Sequence, residues 1–122
     1  MPTKVLIVDD AMFMRAILKD VLLNAGDFEV VGEATDGEEA VKFAKELSPD
    51  LITMDIVMPN MDGIEATKQI MKVTPSVKIV MCSALGQEPL IMESLASGAK
   101  DFVVKPFSAE KVLKVIQGVL SK

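Results

Sequence analysis

Five short runs of apolar and β-branched residues recur along the chain, at Lys4–Val8, Glu29–Ala34, Leu51–Met54, Val77–Cys82 and Asp101–Val104. Each has the length of a β-strand. Between them the apolar positions repeat at intervals of three and four, the spacing that lays one buried stripe along a helix. Phe13, Ile17, Leu18, Val21 and Leu22 mark one such face, Ile64, Thr67, Ile70 and Met71 a second, and Val112, Val115, Ile116 and Val119 a third. The polar punctuation agrees with these limits. Asp36 followed by Glu39 reads as a reciprocal helix N-cap, Ser108 as another N-cap, and Gly26 and Gly98 as helix stops.

This strict alternation predicts an α/β fold: a parallel, doubly wound sheet of about five strands with helices on both faces and right-handed crossovers. Ligands of such sheets sit at the carboxyl ends of the strands. Polar residues gather at those ends. The first run closes in Asp9-Asp10, the third in Asp55, the fourth in Ser83 and the fifth in Lys105-Pro106. In a parallel sheet these ends share one edge, so three carboxylates, a hydroxyl and an ammonium meet in one cleft. Three neighbouring carboxylates repel one another unless a cation offsets them. Mg²⁺ suits hard oxygen donors and recruits phosphate oxygens, whereas a soft metal would want Cys and His.

Asp55 is the best nucleophile, because it ends an apolar run and the loop after it, Ile56-Val57-Met58-Pro59, adds no charge. A carboxylate can accept a phosphoryl group as an acyl phosphate, a transfer that needs charge stabilisation above all. Lys105 and Ser83 fit that supporting role. Other readings exist for each residue: an Asp before a helix is a common N-cap, although one cap needs one Asp. Lys105 alone suits a solvated loop and Ser83 a routine buried hydroxyl. Pro59 and Gly63 shape the turn that carries Asp55.

Composition narrows the function classes. At 122 residues, half of them apolar and a quarter charged, the chain is long enough to bury a core and reads as one domain over 1–122. A net charge of −5 without a basic tract argues against nucleic acid as a partner. The chain lacks histidine, which excludes His-based triads, His-ligated metals and service as a phosphohistidine carrier. No apolar stretch is long enough for membrane insertion and no export leader is legible. A lone cysteine, Cys82, sits inside an apolar run, which suits burial and a cytoplasmic location.

Asp9-Asp10, Asp55 followed by Met58-Pro59 and Asp62-Gly63, Ser83-Ala84, and Lys105-Pro106-Phe107 together resemble the receiver domain of two-component response regulators, and the resemblance spans the whole chain. It implies a flavodoxin-like sheet of order 2-1-3-4-5 with five helices. It implies phosphorylation of Asp55 by a sensor-kinase phosphohistidine, with Mg²⁺ bound by Asp10, Asp55 and the Val57 carbonyl while Asp9 acts mainly through water. Ser83 and Lys105 would contact the phosphoryl group, and the Lys105-Pro106 peptide would be cis. Phe102 occupies the position of an aromatic switch that is often Tyr, with plain core packing as its alternative; Met92 on the fourth helix reads either as a docking residue or as core, and Met12 and Met14 equally suit ordinary packing.

Within the family the resemblance is nearest to the stand-alone chemotaxis regulator. Its implied partners are a chemotaxis-type histidine kinase, the flagellar motor switch protein and a phosphatase, with the chain acting as a monomer. It would be no enzyme beyond its own phosphorylation and dephosphorylation. A phosphorelay intermediate or phosphate sink would share every pocket residue. A haloacid-dehalogenase phosphatase would need a second Asp where Val57 stands, and a flavodoxin-like FMN binder would need a Ser, Thr and Gly-rich loop after strand one. Apolar Val57 and Leu85, near the expected path of attacking water, imply a persistent phosphoryl group.

Overall fold

The computed structural model describes residues 2–84 and 86–121. Strands and helices alternate as β1 (Thr3–Val8), α1 (Met12–Ala25), β2 (Phe28–Ala34), α2 (Gly37–Leu47), β3 (Leu51–Asp55), α3 (Gly63–Val73), β4 (Lys78–Ser83), α4 (Glu88–Ala96), β5 (Asp101–Val104) and α5 (Ala109–Leu120). The strands form one sheet in the order β2-β1-β3-β4-β5, and every pair is parallel. The expected strands fall within one or two residues of the observed ones.

Because successive side chains of a strand point to opposite faces, each strand feeds two cores. Val5, Ile7, Leu51, Val80, Cys82 and Val103 face one side and pack with Leu18 and Leu22 of α1 and Val112, Ile116 and Val119 of α5. Leu6, Val8, Ile52, Met54, Ile79 and Met81 face the other, against Ala40 and Ala44 of α2, Ile64 and Ile70 of α3, and the half-buried Leu90 and Leu95 of α4. Burial on both faces explains why the strands read as continuous apolar runs.

Two sequence readings need correction. The face of α1 that meets the core is Met14, Leu18 and Leu22, while Phe13 and Ile17 are 69% and 45% exposed. The α2 cap is reciprocal in a displaced form. Asp36 accepts from the Glu39 N–H, but Glu39 reaches one residue further back, accepting from both the N–H and the hydroxyl of Thr35. Ser108 caps α5 as expected, and Gly26 ends α1 at φ 91°, a left-handed conformation that favours glycine. No helix among the described residues is long and apolar enough to cross a membrane.

Candidate functional site

The strand pleat that divides the two cores also builds the site. Asp9 continues the parity of Val5 and Ile7, Asp55 that of Leu51, and Lys105 that of Val103, so all three belong to the α1/α5 side at the carboxyl edge. Parallel register brings the strand ends level, with Val8 opposite Met54 and Asp55 opposite Cys82. The result is a cleft of about 370 Å³ lined by Asp9, Asp10, Ala11, Phe13, Met14, Asp55, Lys105 and Pro106.

Asp9 is buried, and both its oxygens are engaged: Oδ1 accepts from the Ala11 N–H at 2.9 Å and Oδ2 from Lys105 Nζ at 2.8 Å. The same ammonium donates to Asp55 Oδ1 at 3.3 Å. Asp10 is exposed at the mouth. The N-cap of helix α1 is Ala11, which offers no side-chain cap, so neither Asp9 nor Asp10 is spent as a conventional N-cap. The Lys105-Pro106 peptide is cis.

Burial raises the Asp55 carboxyl to about pKa 6, and repulsion from Asp9 adds to the rise while Lys105 opposes it. Burial alone would lower the Lys105 ammonium, but the Asp9 hydrogen bond and the charges of Asp55 and Asp9 prevail, so its pKa is raised. The single ammonium is shared between two carboxylates, which is why it is secured as a cation while Asp55 is still under-compensated. Burial also pushes the Cys82 thiol up to about 12, which leaves it neutral and unreactive beside the cleft.

Ser83 is buried at the end of β4 but belongs to the opposite face, with Ile79 and Met81. Its hydroxyl lies 3.5 Å from the Val103 carbonyl, at the long limit of a hydrogen bond. The structure therefore brings Asp9, Asp10, Asp55 and Lys105 together and holds Ser83 to one side. Phe102 shares that side, half-buried against the α2/α3/α4 core. Val57 lies in the loop after β3 and is 56% exposed; Leu85 is outside the described residues. Met14 is core, whereas Met12 and Met92 are exposed.

Sequence reading missed Arg15, the chain's only arginine. Its guanidinium donates to the Asp9 carbonyl at 2.8 Å and to Glu33 Oε1 at 3.0 Å, which ties the loop carrying the acidic pair to the end of β2. A lone arginine one turn beyond two aspartates was the available signal, since its planar fork suits two directional bonds.

The profile of the response regulator receiver domain matches residues 5–117. The chain belongs to the response-regulator receiver family. This receiver is 55% identical over 119 residues to chemotaxis protein CheY of Thermotoga maritima, with 98% of each chain covered. It is 52% identical over 121 residues to CheY of Bacillus subtilis, covering 99% of this chain and 100% of that one. Among solved structures, the response regulator domain of Thermotoga maritima CheB matches at TM-score 0.92 and 44% identity, over 100% of this chain and 98% of that one. The CheX-CheY-BeF3-Mg²⁺ complex of Borrelia burgdorferi matches at TM-score 0.93 and 40% identity, over 100% of this chain and 92% of that one. The receiver is thus CheY-like and falls in the chemotaxis group of two-component response regulators.

Receivers bind Mg²⁺ at an acidic pocket, and the residues present here fit the ion. Asp9, Asp10 and Asp55 each offer a carboxylate oxygen, all within 4.8 Å of one another. Oxygens on opposite sides of one Mg²⁺ lie roughly 4.2 Å apart, so small side-chain movements suffice. The donor set is hard and anionic; burial does most to raise the pKa of Asp55, and the repulsion from Asp9 that adds to it is charge that a cation would relieve.

Proposed function

We propose that this receiver is switched by Mg²⁺-dependent transfer of a phosphoryl group from the phosphohistidine of a chemotaxis-type histidine kinase to Asp55, and that the phosphorylated form acts on the flagellar motor switch. The observation that carries the reading is the convergence of a buried Asp55 carboxylate with Lys105 and two further aspartates at an open cleft. In the transfer an Asp55 oxygen bonds to phosphorus as the phosphorus–nitrogen bond to histidine breaks, leaving an acyl phosphate. No other catalysis than this self-modification and its reversal is proposed.

Asp10, Asp55 and the Val57 carbonyl would hold Mg²⁺, with Asp9 acting through water. The chemistry that the ion supplies when bound is neutralisation of charge on the phosphoryl oxygens. Lys105 Nζ, already 3.3 Å from Asp55, is the second cation for those oxygens and holds the carboxylate in place. The Ser83 hydroxyl, weakly held by Val103, is free to leave that contact for a phosphoryl oxygen. Ser83 and Phe102 share one side of the sheet, so movement of the first opens space for the second, and the α4-β5-α5 surface with exposed Met92 changes in consequence. This is a population shift driven by tighter binding of the phosphoryl group in one state. The Borrelia CheY held with CheX, beryllium fluoride and Mg²⁺ supports a further partner that engages the phosphorylated form, the place for a phosphatase.

The test is binding of a fluorescent motor-switch peptide with Mg²⁺, with and without acetyl phosphate; the label is needed because the chain has neither Trp nor Tyr. Acetyl phosphate should tighten binding at least tenfold in the wild type and leave Asp55→Asn unchanged. One added phosphoryl group by intact mass without tighter binding would replace the motor output by a relay or phosphate sink. No added group would overturn the Asp55 assignment.

A further inference from the structure

The two loops that carry the proposed metal ligands come from different strands, and both are tied to a third segment that lines no part of the cleft. On one side, the Asp9 N–H donates to the Ala34 carbonyl at 3.1 Å, next to the Arg15–Glu33 link at the same end of β2. On the other, Asn60 Nδ2 donates to Asp36 Oδ2 at 2.7 Å, and the Gly37 N–H donates to the Met61 carbonyl at 2.9 Å. Between the Ala34 grip and the Asp36-Gly37 grip lies only Thr35, and the turn is braced from within. Glu39 Oε1 accepts from Thr35 N and Oγ1 at 2.7 and 2.6 Å. Asp36 divides its carboxylate, with Oδ1 capping α2 through the Glu39 N–H at 2.9 Å and Oδ2 holding Asn60.

The fit is close as well as hydrogen-bonded. A Cβ on Gly37 would lie 2.5 Å from the Met61 carbonyl oxygen and 2.8 Å from Met61 Cγ, so only glycine lets the loop approach this near. Asn60 has φ 67°, a left-handed conformation that Asn tolerates and that sits at the tip of the loop following Asp55. The loop closes on itself below that tip, with Met61 N bonded to the Pro59 carbonyl and Gly63 N to the Ile56 carbonyl at 2.8 and 2.7 Å. It therefore responds as one piece, and a grip on Asn60 and Met61 is a grip on Val57.

We propose that the β2–α2 turn is a bracket that sets the separation between the Asp9-Asp10 loop and the Asp55-Val57 loop, and that Asp36 and Asn60 are positioning residues for Mg²⁺ although neither lines the cleft. This rests on the metal site proposed above. A ligand set that must close to the narrow geometry of Mg²⁺ is sensitive to small drift between its halves. The bracket restricts that drift before the ion arrives.

Isothermal titration with Mg²⁺ alone, on the whole chain without phosphodonor, reads this directly. Asn60→Gly keeps the left-handed backbone and the net charge but removes the amide; Asp36→Ser keeps a helix cap but is too short to reach Asn60. Each should weaken Mg²⁺ about threefold to tenfold, the effect of one hydrogen bond, while circular dichroism stays that of the wild type. The double variant should bind no worse than the weaker single, because both residues make one contact. Asp10→Asn serves as the control that must lose Mg²⁺ if the metal site is right. Wild-type affinity in both single variants, or losses that add in the double variant, would overturn the bracket while the Asp10→Asn loss leaves the metal site standing. Absence of binding in the wild type, or an unaffected Asp10→Asn, would overturn the metal site and the bracket with it.

Discussion

At the scale of single residues, Asp55 couples the site to stability. Its carboxyl binds a proton more tightly in the fold, near pKa 6, than at the ordinary 3.8. Ionising it therefore costs folding free energy, and that cost grows as pH rises from about 4 to about 7. In metal-free buffer Asp55→Asn should be more stable than the wild type at pH 7.5 by about 2 kcal/mol, with the difference falling below about 1 kcal/mol near pH 4. Urea melts in a chelator at the two pH values check this, and an equal difference at both would contradict it. The convergence of Asp9, Asp10, Asp55 and Lys105 was legible because each follows an apolar run whose end a parallel sheet must align. The side of the sheet that Ser83 takes follows from its parity with Ile79 and Met81, but its contact with the Val103 carbonyl does not show in the sequence, because only the pairing of β4 with β5 brings the two together.

At the scale of elements, the strands were more legible than the helix faces. A strand buried on both sides announces itself as an unbroken apolar run, whereas α1 carries more apolar residues than the core can take. Phe13 and Ile17 are spaced like Met14, Leu18 and Leu22, and the two stripes lie one residue apart around the helix, with Val21 partly buried against the core. Only the position of the sheet selects between them. Leu18, 1% exposed, and Ile17, 45% exposed, should differ accordingly. Leu18→Ala should cost about 3 kcal/mol and Ile17→Ala less than about 1 kcal/mol, measured by chemical denaturation. Comparable losses would mean that the α1 face is assigned wrongly. The exposed stripe of Phe13 and Ile17 also explains how the periodicity reading went astray at this helix while it succeeded for α3 and α5, where Ile64, Thr67, Ile70, Val112, Ile116 and Val119 are buried.

Over the whole molecule, the family resemblance supplied the strand order, which periodicity does not encode, and the sheet has that order. Its consequence is that Lys105, at the end of edge strand β5, reaches across β4 to Asp55 and on to Asp9. Lys105→Met should lower stability in chelator by about 2 kcal/mol, because Asp9 would lose the ammonium that pairs with it in the interior. Saturating Mg²⁺ should recover more of that loss than it adds to the wild type, through its preferential binding to the folded chain. Thermal melts with and without the ion compare the two, and equal gains would contradict the assignment. The Lys105–Asp9 contact spans 96 positions, with the acidic pair near the start of the chain and its counter-ion near the end. During synthesis β1 and β3 leave the ribosome well before β5. A growing chain thus carries Asp55 before the ammonium that pairs with it, so the phosphorylation proposed for this site would become possible only once β5 is made.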